Sequence, residues 1–279
     1  VRDLRWLRDN AECDTILFRN RGLEEIESSN DITFMERSLT DTFIKRRNAG
    51  FAVHRVDGSR RGTESFGLFQ EADNDLNLSD GYGVTARVTA LPIYRDGERV
   101  LHLGAAASYR LPSDDSLQFL SRPESNQADV LVDTGAFAAT SEFRVGLEAA
   151  HVHGPFSLQG EFVATAVNGS ESVGNPTFSS YYLMGSYILT GESRRYRRNV
   201  GAFGRVFPEG GWGAWELVGR YSHLDLDSES IRGGVLHDVT LGMNWYITSY
   251  SKVMFNHVVA HPEGSGVQHI TQMRLQINI

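Results

Sequence analysis

A single cysteine, Cys13, excludes an internal disulfide and leaves no paired-thiol metal or redox motif. HExxH, GxSxG and P-loop signatures are also missing, so hydrolytic and nucleotide chemistry have no motif to rest on. His151 and His153 lie two apart on one strand face and come nearest to a metal pair, but they read as polar strand-end positions beside a turn. GAFG at 201–204 is too short for a phosphate loop. No metal, cofactor or enzymatic activity is therefore expected. Bases are the minority charge, 27 against 35 acids, and the net charge of −8 argues against nucleic acid as a partner. No run approaches the roughly 20 apolar residues of a membrane-spanning helix. That lack does not exclude a membrane, because barrel strands need only about 9–11 residues and bury alternate ones. The chain starts at Val1 without a basic and apolar leader, as expected of a mature or truncated exported protein.

What the chain does contain is alternation. In HITQMRLQINI, Thr271, Met273, Leu275, Ile277 and Ile279 fall on one face, and Gln272, Arg274, Gln276 and Asn278 on the other. A side-chain period of two is a β-strand with one apolar and one polar face. The same dyad predicts strands near 48–55, 62–70, 81–93, 98–110, 141–153, 155–167, 178–190, 213–226, 235–248, 250–262 and 267–279. Connections such as Asp57-Gly58, Asp96-Gly97, Gly154-Pro155 and Thr248–Ser251 are short. Those at 71–80, 111–140, 168–177 and 227–234 are long and polar. Short turns alternating with long loops fit an all-β, antiparallel, up-and-down transmembrane β-barrel. The stretch 191–212 breaks the rule, being long and very basic on the short-turn side.

The first 22 residues read as an irregular lead-in, with only Asp14–Arg19 able to form a strand. In 23–47 the period changes: Ile32, Met35, Leu39 and Phe43 recur at three- and four-residue steps, which predicts short helical turns with an apolar stripe. Asn30 or Asp31 is placed to cap them, and Ser38 with Asp41 has capping-box spacing. Aromatics near strand ends predict interfacial girdles: Tyr82, Tyr94, Tyr109, Tyr181, Tyr187, Trp215, Tyr221, Trp245, Tyr246 and Tyr250.

If the apolar set of each strand faces lipid, the other set is lumenal. That rule places Arg87, Arg220 and Arg274 near mid-strand on the wet face, and Arg110 and Arg144 nearer the outer rim. An arginine is always charged and grips an oxyanion through two N–H groups, so these five are candidate anion-path residues. The opposing reading is local neutralisation, with Glu148, Glu161, Glu216 and Asp238 as candidate partners. The basic run Arg194, Arg195, Arg197 and Arg198 reads first as a solvated turn.

Five blocks carry a family resemblance: SSNDITFMERSLTDTF with RNAGF, GESRRY with GAFGRV, GGWGAWELVGRYSHLDL, DVTLGMNWYI with KVMFNHV, and QMRLQI. They resemble the phosphate-selective porin O and P family in sequence and in order. The resemblance implies a trimeric porin of the bacterial outer membrane, set in outer-membrane lipid, with a sixteen-stranded barrel passing phosphate-like anions or polyphosphate. It also implies that 23–47 folds inward as a short constriction loop, placing Arg37, Lys45, Arg46 and Arg47 at the narrowest point. About eleven or twelve strands are visible here, so either a smaller barrel closes or the sequence is part of a longer product, and the second is favoured. The closing residue is Ile279, where the family more often has Phe. The remaining readings are a general diffusion porin without an anion site, and a non-conducting structural barrel or partial fragment.

Overall fold

A computed structural model describes residues 13–19, 26, 32–44, 49–72 and 78–278. Twelve strands follow one another around a single antiparallel sheet in chain order. They are β1 Cys13–Arg19, β2 Ala49–Val56, β3 Gly62–Ala72, β4 Leu78–Arg95, β5 Arg99–Leu111 and β6 Phe137–His153. The remainder are β7 Phe156–Gly169, β8 Thr177–Ile188, β9 Ala214–Ser228, β10 Ile231–Tyr246, β11 Ser251–Pro262 and β12 Gln268–Ile277. All eleven alternating segments form strands, and Cys13–Arg19 pairs with β2 as the twelfth. Among the described residues, β1 bonds only to β2 and β12 only to β11, so these strands do not close on one another.

The wall is inverted relative to a soluble protein. On β10, Leu241 is 59% exposed while Thr240 beside it is fully covered. The same alternation exposes Val84, Val88, Leu103, Phe143, Leu147, Leu183 and Leu217, and buries Thr85, His102, Gln159, Thr165, Ser222 and Asn244. Apolar residues outside and polar residues inside are stable only when the outer medium is hydrocarbon, where strands also satisfy their backbone groups by pairing. No described helix is long and apolar enough to cross a membrane.

Some sequence expectations fail locally, for identifiable reasons. Between Ala90 and Ile93 the β4–β5 register shifts, so Leu91 and Tyr94 join an inner cluster and Ile93 faces out. Pro92 brings no N–H to this point of the ladder, which suits a bulge. Tyr94 is thus not a girdle residue. Neither is Tyr246, which is buried with Ile188, Val206 and Ala214. The 227–234 loop is in fact strand up to a two-residue turn, Glu229–Ser230, with Glu229 in the left-handed region at φ 52°.

Candidate conduction path

Three connecting segments turn back against the inner face and set the shape of the interior. The first is 32–44, part of the segment 23–47 expected as a constriction loop. It forms bends and one short helical turn, the 3-10 turn Leu39–Thr42, within the stretch expected to carry short helical turns. The wall takes the carbonyls a helix would use internally. Asn244 Nδ2 donates to Thr33 O at 2.8 Å and Lys252 Nζ to Ile32 O at 2.8 Å. Arg220 Nη2 donates to Glu36 O at 3.1 Å and Arg37 O at 3.3 Å. A backbone acceptor satisfied by the wall no longer needs the helix. The apolar stripe expected there is kept, because Met35, Leu39 and Phe43 are all buried. Ser38 makes no side-chain cap, and its hydroxyl bonds Thr40 Oγ1 at 2.6 Å instead.

The second segment, 112–136, falls within 111–140, expected as a long polar outer loop. Its apolar residues Leu117, Phe119 and Val132 instead join Leu39, Phe43, Phe137, Phe178 and Leu224 in one inner core. The third, 189–213, overturns the solvated-turn reading of the basic run. Arg194 is buried, donates to Gln159 Oε1 at 2.8 Å and stacks over Phe203 at 4.5 Å. Arg198 donates to Ser59 O at 2.7 Å and Arg60 O at 2.8 Å, tying this segment to the β2–β3 turn. Arg195 and Arg197 remain exposed.

All five predicted wall arginines lie on the inner face, and each meets a carboxylate. Arg87 on β4 pairs with Glu148 on β6 at 2.6 Å, across the intervening strand. Gly104 of β5 lies opposite Glu148, and a Cβ there would collide with the carboxylate. The absent side chain is what lets the two charges meet over β5. His102 Nε2 is 3.1 Å from the same carboxylate oxygen, and its Nδ1 is 2.6 Å from Tyr196 Oη. Arg87 also donates to Gly201 O at 2.8 Å. Gly201 has φ 69° and lies so close to the Thr63 and Thr89 hydroxyls that a side chain would clash. Burial holds the Tyr196 phenol above its ordinary pKa, so it remains a neutral O–H.

Arg110 on β5 and Arg144 on β6 share Glu142, at 3.7 and 3.0 Å. Arg220 on β9 meets Glu124 of segment 112–136 at 2.5 Å and lies over the Phe34 ring at 4.3 Å. Arg274 on β12 faces Glu36 at 3.9 Å. Of the expected partners Glu148 binds an arginine directly. Glu161 accepts from Ile26 N–H, Glu216 from Asn244 and Tyr246, and Asp238 from Glu124 N–H. Glu142 was legible, because it shares inward parity with Arg144 and lies opposite Arg110. Glu36 and Glu124 gave no strand signal, since both sit in inward-folded loops.

A cavity of about 280 Å³ lies between the two loop segments, lined by Glu36, Arg37, Ser38, Asp41 and residues 120–126. Of the predicted constriction bases, Arg37 is therefore at the opening between the segments. Lys45, Arg46 and Arg47 lie outside the described residues. His151 and His153 sit at the end of β6 with rings 6.4 Å apart, beside the Gly154-Pro155 turn. Among the described residues no group of three potential metal ligands forms.

An inverted, antiparallel strand wall with polar segments folded against its inner face defines a transmembrane β-barrel protein. The family model described as phosphate-selective porin O and P matches residues 20–279. The chain belongs to that family, and its place is the bacterial outer membrane. It is 29% identical over 265 residues to an uncharacterised protein of Caulobacter vibrioides, covering 88% of this chain and 52% of that one. It is 27% identical over 219 residues to Porin O of Pseudomonas aeruginosa, covering 67% of this chain and 50% of the relative. The chain spans about half the length of these curated relatives.

Proposed function

We propose that residues 1–279 belong to one barrel domain of an outer-membrane channel that passes anions passively, with phosphate-like solutes preferred. It acts as a channel, not an enzyme, and works as a homotrimer with its apolar outer face in lipid. The constriction is segment 23–47, with Arg37, Lys45, Arg46 and Arg47 as its bases. The observation that carries this reading is the set of inward-facing arginines, Arg87, Arg110, Arg144, Arg220 and Arg274, joined by the buried base Lys252 on the same polar wall. A guanidinium replaces part of an oxyanion's hydration shell, and several moderate contacts allow release as well as entry. The test is the reversal potential of the assembled protein in planar bilayers under a salt gradient. Anion selectivity is expected; cation selectivity would overturn the reading.

One observation favours a second reading, a general diffusion porin. Each of the five arginines faces a carboxylate, which offsets its charge. Added phosphate separates the two: it reduces chloride current if the arginines bind anions and leaves it unchanged in a general pore.

A further inference from the structure

Glu124 is a loop carboxylate held almost entirely by donors of the wall. Ser222 Oγ donates to its Oε1 at 2.5 Å, Thr240 Oγ1 donates to its Oε2, and Arg220 Nη2 lies 2.5 Å from Oε2. Its own N–H donates to Asp238 Oδ2 at 2.9 Å, and its carbonyl accepts from Gln272 Nε2 at 3.0 Å. Four of these five wall residues, all but Gln272, form one compact block. Arg220 and Ser222 are neighbours on the inner face of β9, and directly across from them on β10 stand Thr240 and Asp238. The backbone ladder between β9 and β10 holds this block together, so its shape does not depend on the loop.

A guanidinium and two hydroxyls converging on two oxygens is a cradle for an oxyanion. The carboxylate of Glu124 stands where the oxygens of a free anion would sit. The geometry points to a binding site for a protonated oxyanion, hydrogen phosphate above sulfate, which Glu124 fills as a tethered competitor. This deepens the anion-channel reading and rests on it.

The proton requirement comes from Asp238. It is fully buried, its Oδ2 is taken by the Glu124 N–H, and its Oδ1 has no hydrogen-bond partner among the described residues. Once the loop withdraws, the ionised form of Asp238 offers two acceptor oxygens and no donor. An anion that carries its own O–H satisfies this carboxylate, whereas a fully deprotonated one meets repulsion. The Arg220–Glu124 pair also borders open space between the segments. Glu124 lines the 280 Å³ cavity, and Arg220 lines a smaller one of about 20 Å³. The two cavities share Arg37, Ser38 and Asp41 in their linings.

Tethering gives the design its use. A bare cradle of this kind, shielded from water, would hold phosphate too firmly for transport. A carboxylate on the same chain competes at a high effective concentration and weakens the net affinity, which permits release.

The experiment measures the chloride current of the assembled protein in planar bilayers as phosphate is added at neutral pH, with sulfate as the second probe. Glu124→Gln is expected to lower the half-blocking phosphate concentration by roughly tenfold, because the competitor loses its charge. Glu124→Asp, with the charge kept but its reach shortened, lowers it by a smaller factor and serves if the first variant does not assemble. Phosphate blocks more strongly than sulfate in Glu124→Gln, and adding Asp238→Asn brings the two anions level. An unchanged phosphate block in an anion-selective channel overturns the cradle alone, leaving Glu124 as a structural clasp. Equal block by phosphate and sulfate in Glu124→Gln overturns the role of Asp238. Cation selectivity of the unsubstituted protein would overturn both this proposal and the reading on which it rests.

Discussion

Two lumenal charge clusters in this protein both combine arginine with carboxylate and are built by different means. Arg110, Glu142 and Arg144 all lie on the adjacent strands β5 and β6, where backbone pairing alone sets Arg110 opposite Glu142. Their formal sum is +1, from two arginines and one carboxylate. Arg220, Asp238 and Glu124 sum to −1 with both carboxylates ionised, and the third member arrives from a loop more than eighty residues away in sequence. The first cluster is part of the wall. The second is a clasp, in which Arg220 fastens both inward segments through the carbonyls of Glu36 and Arg37 and the Glu124 carboxylate. A charge pair within the ladder adds little ordering cost, whereas a clasp must offset the entropy of the segment that it holds.

Substitution of Arg220 should separate the two clusters most clearly. Arg220→Met leaves Glu124 and Asp238 buried without their cation and releases both segments. A loss of about 3–5 kcal/mol is expected, from the cost of breaking a buried pair on one side. Urea unfolding of the refolded protein in detergent measures the loss, and limited proteolysis should find segment 112–136 newly cleavable. A segment as resistant as before would mean that the inner apolar core, not the clasp, holds it. Glu142→Gln is expected to cost less, about 1.5–3 kcal/mol, the worth of hydrogen bonds to a charged group. Because that cluster belongs to the wall, proteolysis of 112–136 should be unchanged; new cleavage there would erase the distinction between the clusters. The smallest effect is expected at Gly104→Ala, where a Cβ displaces the flexible end of Glu148 from Arg87 and His102. Overpacking of this kind costs about 1 kcal/mol at the lower end of its usual range. An unchanged unfolding midpoint would show that Glu148 reaches Arg87 by another path.

The wall was largely legible in the sequence. Period-two alternation located eleven strands, and the same parity placed Arg87, Arg110, Arg144, Arg220 and Arg274 on the inner face. Parity failed only where the ladder itself slips, at the β4 bulge that turns Tyr94 inward. The candidate site was less legible. Leu117, Phe119 and Val132 were a readable warning that 112–136 would not stay in water, and Tyr196 and Phe203 gave the same warning for the basic run. Nothing in the sequence linked Glu124 to Arg220, because residues in a loop have no periodicity to orient them.

By itself the sequence determined the medium, the strand wall and the direction in which each wall side chain points. These follow from local chemistry: alternate residues of an extended chain lie on opposite faces, and hydrocarbon accepts only one kind. Tertiary structure alone decided which carboxylate neutralises which arginine, why 32–44 is helical only at Leu39–Thr42, and how the interior is divided. Those outcomes depend on contacts between segments far apart in the chain, where a wall donor such as Arg220 or Asn244 competes successfully for groups that local structure would otherwise have satisfied.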